Sequence, residues 1–281
     1  MTSPAPSSGS STAPLRRVLV RRPPADCSGW RRFGWRAEPD AARLAAEHEA
    51  LCATLEGAGA EVVVAAPTTL DAIYTYDPAI VADAAAVLLR PGKPERRDEP
   101  AGLEPELERA GIAVAGRLEE PACAEGGDLF WLDRQTLCGG LGYRTNEGGI
   151  RAIGRLLGVE VLAFDLPHLR GPAACLHLLS LISPLADDLV VAYPPLLPVR
   201  LVRLLAERGT EVVEVPDDEL DTLGPNVLAL APRVGLMPEH NVETRRRLEA
   251  AGVEVFVYEA AELSKGDGGP TCLTLPLGRH S

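Results

Sequence analysis

Four stretches of the chain each contain two short apolar runs separated by a polar turn. They cover residues 79–90, 129–140, 178–193 and 227–238, and every turn includes Asp, Pro or Gly. Two aliphatic or β-branched runs around such a turn are typical of a β-hairpin. The pattern therefore predicts four hairpins, spaced at similar intervals along the chain.

Each hairpin is followed by apolar residues at helical spacing and then by another strand-like run. After the first hairpin, Leu103 and Leu107 lie on one predicted helix face, and a glycine near the helix end precedes a strand at 112–116. The corresponding later strands are predicted at 159–164, 211–215 and 253–258. The repeating unit is therefore β-β-α-β.

The N-terminal part of the chain has the same order of elements but lacks a first strand. It contains a strand at 18–22, a helix at 41–59 and a strand at 61–66. Residues 272–277 are strand-like and can supply the missing element from the C-terminal end. The sequence thus predicts an α/β fold of five ββαβ repeats that closes on itself as a ring.

A polar residue begins each repeat at nearly the same phase. These residues are Asp77, Glu125, His177, Asn226 and Cys272, and their separations are 48, 52, 49 and 46 residues. Equivalent positions in a ring of repeats face one axis. We therefore expect a thiol, an imidazole and two carboxylates to share one pocket.

Composition and charge narrow the class of protein. The chain has 281 residues, 46% of them hydrophobic, and a net charge of −12. This charge argues against nucleic acid and against an anionic membrane surface, and no apolar run reaches the ~18–20 residues that a membrane span needs. Residues 1–14 are expected to be a disordered tail without features of a secretory signal, and residues 15–281 a single domain.

The six cysteines include no CxxC pair. In a chain of this length they are expected to be free thiols in a reducing cytoplasm.

A thiol, an imidazole and carboxylates around one pocket indicate nucleophilic catalysis. Cys272 follows a glycine-rich turn, and His177 has a side chain whose usual pKa suits acid and base work near neutrality. Carboxylates beside a thiol would raise its pKa, so a neutral acyl substrate would not need them. A planar cation such as guanidinium would, because its N–H groups pair with carboxylates and its charge favours the thiolate.

The sequence resembles the guanidine-modifying members of the pentein superfamily, which are α/β propellers with pseudo-fivefold symmetry. It is most similar to dimethylarginine dimethylaminohydrolase, with arginine deiminases and amidinotransferases as relatives. The resemblance covers roughly residues 15–277 and depends on the order and spacing of several motifs. They are DAIYTYDPAIV (71–81), LLRPGKPERR (88–97), EGGDLFWL (125–132), GYRTNEGGI (142–150), CLHLLS (175–180), NVLALAP (226–232) and GDGGPTCLTLPL (266–277).

The resemblance implies a reaction and three catalytic residues. Cys272 would be the nucleophile, His177 the general acid and base, and Glu125 the carboxylate that orients His177. The expected reaction is hydrolysis of a guanidine C–N bond, with N-methylated arginine giving citrulline and a methylated amine through a covalent S-alkylthiouronium. No metal or organic cofactor is expected.

The resemblance also implies a set of substrate-binding residues. Asp71 and Asp77 would hold the guanidinium, and Arg96 and Arg144 would face the substrate's α-carboxylate. Asp128 of the EGGD motif and Asp267, five residues before Cys272, complete the expected set.

Two positions depart from the relatives, and one segment has an open role. Tyr76 stands where the dimethylarginine enzymes usually have Glu, and Leu179 stands where those enzymes have Lys. We expect these changes to remove a carboxylate from the pocket and add an apolar group. Residues 23–40, rich in Trp and Arg, are expected to form a lid, a partner-binding patch or a surface covering.

Several alternatives remain open from the sequence. An arginine deiminase or an amidinotransferase acting on another guanidino compound would share the first half-reaction, although the chain lacks the extra helical insertions usual in those relatives. A non-catalytic pentein binding module would not need the Cys, His and carboxylate set. A metal site at Cys175 and His177 has weak support because further ligands at suitable spacing are absent. A homodimer is a further open possibility for the assembly.

Overall fold

The computed structural model describes residues 9–83 and 85–279. The secondary structure follows the predicted order, with each element bounded within a few residues of the expected position. The helices are Ala41–Gly57 (α1), Glu99–Arg109 (α2), Glu147–Leu157 (α3), Val199–Glu207 (α4) and Val242–Ala250 (α5). The strands are Leu15–Arg21 (β1), Glu61–Ala65 (β2), Ala79–Ala82 (β3), Ala85–Leu88 (β4), Ala113–Arg117 (β5), Leu129–Asp133 (β6), Thr136–Leu141 (β7), Glu160–Asp165 (β8), Ile182–Ala186 (β9), Leu189–Ala192 (β10), Glu211–Glu214 (β11), Leu228–Ala231 (β12), Val234–Pro238 (β13), Glu254–Tyr258 (β14) and Leu275–Arg279 (β15).

Within the described residues the strands form five three-stranded sheets. Their orders are β15-β1-β2, β3-β4-β5, β6-β7-β8, β9-β10-β11 and β12-β13-β14. In every sheet the first two strands are antiparallel and the last two are parallel, with a helix crossing between the parallel strands. The predicted pseudo-fivefold ββαβ architecture is confirmed.

The C-terminal strand closes the ring as predicted, but it begins later than expected. Leu15 pairs with Arg279 and Leu19 pairs with Leu275, so β15 completes the sheet of β1 and β2. The predicted strand at 272–277 instead begins at Leu275, and Cys272 and Leu273 lie in a turn. Cys272 therefore lies just before a strand, as do the polar residues that begin the other repeats.

The first strand of each repeat faces a common axis. A central cavity is lined by Ala79 of β3, Phe130 of β6, Ser183 of β9, Leu228 of β12 and Leu275 of β15. The helices lie on the outer side, and α3 shows why they form there. Its apolar residues Ile150, Ile153 and Leu157 are buried at helical spacing, Asn146 caps its start, and Gly158 ends it with a φ of 67°.

The part of the predicted tail that the structure describes is held against the ring. The side chain of Ser11 accepts a hydrogen bond from the backbone N–H of Trp131, Thr12 is buried, and the carbonyl of Ala13 accepts one from Arg279. The prediction of a solvated tail is therefore wrong for residues 9–14, and residues 1–8 lie outside the described residues.

Among residues 9–83 and 85–279, no helix is both long and apolar enough to cross a membrane.

Candidate active site

The turns before the first strands of the five repeats meet at one end of the ring. One pocket there is lined by Asp77, Glu125, His177 and Cys272, and the side chain of Asn226 contacts Cys272. These five side chains come from five separate turns, and the closure of the ring brings the last of them beside the first.

Asn226 positions the turn that carries Cys272. Its side-chain oxygen accepts the backbone N–H of Thr271 at 3.1 Å, and its amide nitrogen donates to the Cys272 sulfur at 3.4 Å. The backbone N–H of Tyr76 donates to the Cys272 carbonyl, which joins this turn to the neighbouring repeat. Burial, and then the negative charge of Asp77, raise the pKa of Cys272 to about 11. The thiol is therefore protonated near neutral pH until a positive charge arrives.

His177 and Glu125 form a buried pair. The Nε2 atom of His177 lies 2.7 Å from Oε2 of Glu125, whose side chain is 0% exposed. Burial alone would lower the pKa of His177, but the neighbouring sulfur of Cys175 and the carboxylates of Asp77 and Asp128 raise it well above its usual value. Burial alone would raise the pKa of Glu125, but His177 and Arg144 lower it to about 2. The pair is an imidazolium held on a carboxylate, and Nδ1 is the ring nitrogen that Glu125 leaves unused.

The two glycines of the EGGD motif allow the turns to approach each other closely. A Cβ on Gly127 would lie 2.4 Å from Nδ1 of His177 and 3.0 Å from Oδ1 of Asp77. The backbone N–H of Gly127 donates to that same Asp77 oxygen at 2.9 Å. The second glycine therefore leaves room for the imidazole and fixes the orientation of Asp77.

The two carboxylates expected to hold a guanidinium are each paired with a cation of the chain itself. Asp71 accepts the ammonium of Lys93 at 2.5 Å and the indole N–H of Trp35 at 2.6 Å. Asp77 accepts an N–H of Arg96 on its second oxygen. Each carboxylate oxygen can accept two hydrogen bonds, so Asp77 retains two acceptor positions for a ligand.

Arg96 lines the pocket but is held on three sides. Its guanidinium donates to Asp77, to Glu99 and to the carbonyl of Tyr74, and its side chain is 4% exposed. The prediction that Arg96 faces a substrate carboxylate therefore needs a correction, because four of its five N–H donors are used within the protein. Arg144 differs, because its only hydrogen bond among the described residues is a long one to Glu125, at 3.5 Å.

Asp128 does not lie where the sequence led us to expect it. It is absent from the pocket wall, fully buried, and accepts the backbone N–H of Leu178 at 3.0 Å through Oδ1. Burial raises its pKa to about 6. Its place behind His177 means that it holds the backbone after the imidazole and does not contact a ligand in the pocket.

Asp267 lies at the rim of the pocket. It adopts a left-handed backbone conformation with a φ of 65°, and its carboxylate is 2.9 Å from Nε of Arg36. Burial raises its pKa. Arg36 belongs to the 23–40 segment, so this ion pair ties the segment to the turn that precedes Cys272.

The 23–40 segment covers part of the pocket. Phe33 and Gly34 line it, and the buried Trp35 packs against Tyr74 with ring centroids 5.9 Å apart. Of the three expectations for this segment, its position matches that of a lid.

Tyr76 and Leu179 lie outside the pocket that Cys272 lines. Both face the central cavity, and the Tyr76 hydroxyl donates to the carbonyl of Leu129 at 3.3 Å. The prediction that they add an apolar surface to the site is therefore wrong, although the carboxylate of the relatives is still missing at position 76. Alternate residues of an extended chain point in opposite directions, so Asp77 faces the pocket while Tyr76 faces the axis.

One cluster of potential metal ligands occurs among the described residues. Asp77, Glu125 and His177 each offer an atom within 4.8 Å of the others. Arg96 and Arg144 already pair with its carboxylates, and an imidazolium has no lone pair for a metal. The sulfur of Cys175 lies 3.6 Å from Nδ1 of His177 and adds a thiol without relieving this charge. The donor set therefore fits a metal ion poorly.

Three residues of the site had no assigned role at the sequence level. Lys93 stands inside the RPGKPERR motif, Arg36 inside the 23–40 segment, and Asn226 at the phase of the repeats. Asn226 was detectable from its phase alone. The partners of Lys93 and Arg36 lie 22 and 231 residues away along the chain, at Asp71 and Asp267, and no local pattern connects them.

The chain is similar to proteins named as arginine deiminases and dimethylarginine dimethylaminohydrolases. The family model of arginine deiminase matches residues 197–279. An arginine deiminase of Rhodococcus jostii is 31% identical over 189 residues, which are 56% of this chain and 47% of that protein. The chain thus spans about half the length of such arginine deiminases. A dimethylarginine dimethylaminohydrolase of Streptomyces coelicolor is 29% identical over 272 residues, which are 94% of this chain and 98% of that protein.

Solved structures share the fold. The dimethylarginine dimethylaminohydrolase of Pseudomonas aeruginosa, in complex with citrulline, has a TM-score of 0.78 at 22% identity and covers 93% of this chain and 99% of its own. The N-terminal domain of a cyanobacterial arginine dihydrolase, bound to product, has a TM-score of 0.83 at 22% identity and covers 94% of this chain and 97% of its own. Both similarities extend around the whole ring.

Proposed function

Because this chain belongs to the guanidine-modifying pentein superfamily, we propose that it hydrolyses a C–N bond of a guanidino substrate through a covalent intermediate on Cys272. The observation that carries the proposal is the shared pocket of Cys272, the His177–Glu125 pair and Asp77. N-methylated arginine and arginine are the first substrates to test, given the activities that name the relatives.

The first half-reaction begins with the thiol. A bound guanidinium places a positive charge beside Cys272 and lowers the thiol pKa from its raised value of about 11. The thiol releases its proton to solvent, and the thiolate attacks the guanidinium carbon and gives a tetrahedral adduct. His177 then donates the proton on Nδ1 to the departing amine, which leaves as the C–N bond breaks and the S-alkylthiouronium remains.

The second half-reaction uses the same groups in reverse. Neutral at Nδ1 after the first step, His177 accepts a proton from water, and the resulting hydroxide attacks the thiouronium carbon. The C–S bond breaks, the proton left on the attacking oxygen passes to the departing Cys272 thiolate, and a ureido product leaves. Glu125 holds Nε2 throughout and stabilises the imidazolium each time it forms.

Asp77 has two functions in this scheme. It offers its free acceptor positions to the guanidinium, and, after burial itself, its negative charge helps to keep the Cys272 thiol protonated in the empty site. The thiolate therefore forms when the substrate cation binds, which protects the nucleophile between turnovers.

Product analysis tests the proposal. Wild-type protein is incubated with dimethylarginine, monomethylarginine and arginine, the ureido product is measured by colorimetry, and the released amine is identified by mass spectrometry. Cys272→Ser is the control and should be inactive. Release of a ureido product by the wild type alone supports the hydrolase, whereas equal rates with Cys272→Ser would contradict it.

The amidinotransferase alternative shares the first half-reaction and differs in the acceptor. An amine added to the same assay would divert the thiouronium to a new guanidine. A binding module would show no turnover, and the assembled Cys272, His177 and Glu125 disfavour it.

The compartment and the assembly stay predictions. All six cysteines lie among the described residues and are free thiols, as expected for the cytoplasm that we propose. Light scattering during size-exclusion chromatography would test the proposed homodimer.

A further inference from the structure

The wall of the pocket beside Glu125 holds an ammonium group of the protein itself. Lys93, one of two lysines in the chain, places Nζ 2.5 Å from Oδ2 of Asp71 and 2.5 Å from the carbonyl of Phe33. The other oxygen of Asp71 accepts the indole N–H of Trp35. Asp71 is 3% exposed, so it is buried with a cation and a donor already in place.

This arrangement brings a positive charge of the protein to the part of the pocket that Asp71 lines. An ammonium group has three N–H donors, and two of those on Lys93 are used by Asp71 and Phe33. The third N–H belongs to a residue that lines the pocket and is available to an acceptor on the ligand. Lys93 therefore offers a hydrogen-bond donor and a positive charge where Asp71 alone would have offered an acceptor.

Arg144 lies next to Lys93 around the same carboxylate. The backbone N–H of Lys93 donates to Oε1 of Glu125, and Arg144 donates to Oε2. A Cβ on Gly92 would lie 2.6 Å from the Arg144 carbonyl oxygen, so the two chain segments are in contact. Arg144 has most of its N–H donors unused within the described protein, and Lys93 adds one more. Both residues line the pocket, and such donors pair with an anionic group.

On the basis of the proposed function, we propose that the preferred substrate is an ω-guanidino carboxylate whose tail carries no ammonium group. Its guanidinium lies at Asp77 and Cys272, and its carboxylate binds Arg144 and Lys93. An α-ammonium group would instead meet the like charge of Lys93, because Lys93 already neutralises the charge of Asp71. Asp267 is the remaining carboxylate of the rim, and Arg36 holds it.

The test compares compounds that share a guanidino head and differ in the tail. Arginine is paired with 5-guanidinopentanoate, which lacks only the α-ammonium group, and dimethylarginine is paired with its own counterpart lacking that group. We expect kcat/KM of the wild type to be at least about tenfold higher for the compound without ammonium in each pair. A preference for arginine and dimethylarginine would overturn the proposal.

Lys93→Gln and Lys265→Gln form a matched set of variants. Lys265 also lies 2.5 Å from a carboxylate, that of Glu262, but does not line the pocket. In Lys93→Gln, the ratio of the two kcat/KM values within each pair should fall at least about tenfold, chiefly because KM rises for the compound without ammonium. Lys265→Gln should keep the wild-type ratio. An unchanged ratio in Lys93→Gln would refute the role of Lys93.

Binding and labelling separate this proposal from the proposed function. Cys272→Ser is titrated with both members of each pair by calorimetry, so the tail preference is measured without turnover. Labelling of wild-type Cys272 by 2-chloroacetamidine, an amidinium without a tail, reports the guanidinium pocket alone. If Cys272 is labelled and the wild type turns over arginine in preference to 5-guanidinopentanoate, only the proposal about the substrate tail is contradicted. Absence of both labelling and turnover would contradict the proposed function. Equal affinities of Cys272→Ser for the two members of each pair would overturn the tail proposal.

Discussion

Replacing Glu125 by Gln tests the electrostatics of the site most directly. The wild-type carboxylate accepts the Lys93 backbone N–H on one oxygen and His177 with Arg144 on the other. A Gln side chain has one acceptor oxygen, so its NH₂ group must face either the Lys93 N–H or His177. The substitution therefore removes a buried charge and also leaves a donor facing a donor.

The pKa of Glu125 gives the size of the effect. It falls from the ordinary 4.5 to about 2. At ~1.36 kcal/mol per pKa unit, this corresponds to roughly 3 kcal/mol of stabilisation at neutral pH. Because the pKa is lower in the folded state, the stabilisation is complete above about pH 4.5 and is lost as the pH falls towards 2. His177 has a raised pKa, so its share is complete below pH 6.5 and is lost as the pH rises through the higher folded value.

Urea unfolding of wild type and Glu125→Gln from pH 7 to pH 3.5 measures this difference. We expect the variant to be less stable by roughly 3 kcal/mol at pH 6, and the gap to narrow by roughly 1 kcal/mol at pH 3.5. Turnover should fall by roughly 10²-fold or more. Glu106→Gln is the control, a buried glutamate paired with Arg109 on α2 outside the pocket, and it should retain wild-type activity. Equal stability of wild type and Glu125→Gln at pH 6, or a gap that does not change with pH, would refute the reasoning.

Three further predictions concern the turns around the nucleophile. Gly127→Ala should lower kcat by roughly 10²-fold, because its Cβ displaces the His177 ring. Gly142→Ala should keep the wild-type kcat, because its Cβ meets its nearest atom at 3.5 Å, and an equal loss of kcat in both variants would contradict this. Alkylation of Cys272 by iodoacetamide should accelerate about tenfold per pH unit between pH 7 and 10, since its pKa is about 11, and a plateau below pH 8 would be inconsistent with that value. Asn226→Ala leaves a buried backbone N–H and the Cys272 thiol without their partner, so urea unfolding should show a loss of about 1–3 kcal/mol; an unchanged midpoint would count against it.

The sequence by itself determined the ring and the order of its elements. Strand and helix periodicities depend on neighbouring residues, so hairpins such as 129–140 and helices such as that containing Ile150 and Ile153 were predictable one by one. The near-equal spacing of Glu125, His177 and Cys272 then indicated a common axis, because repeats of one length place equivalent residues alike.

The tertiary structure decided how the charged side chains pair. Lys93 lies on Asp71 and Arg96 on Asp77, although the motifs indicated that both carboxylates were open to a ligand. Asp128 holds the backbone of Leu178 behind the site. The choice of partner for a charged side chain depends on distances of a few ångströms between turns that are far apart in sequence. Local pattern predicts which turns carry charge, and only the packing of the ring determines which of these charges meet.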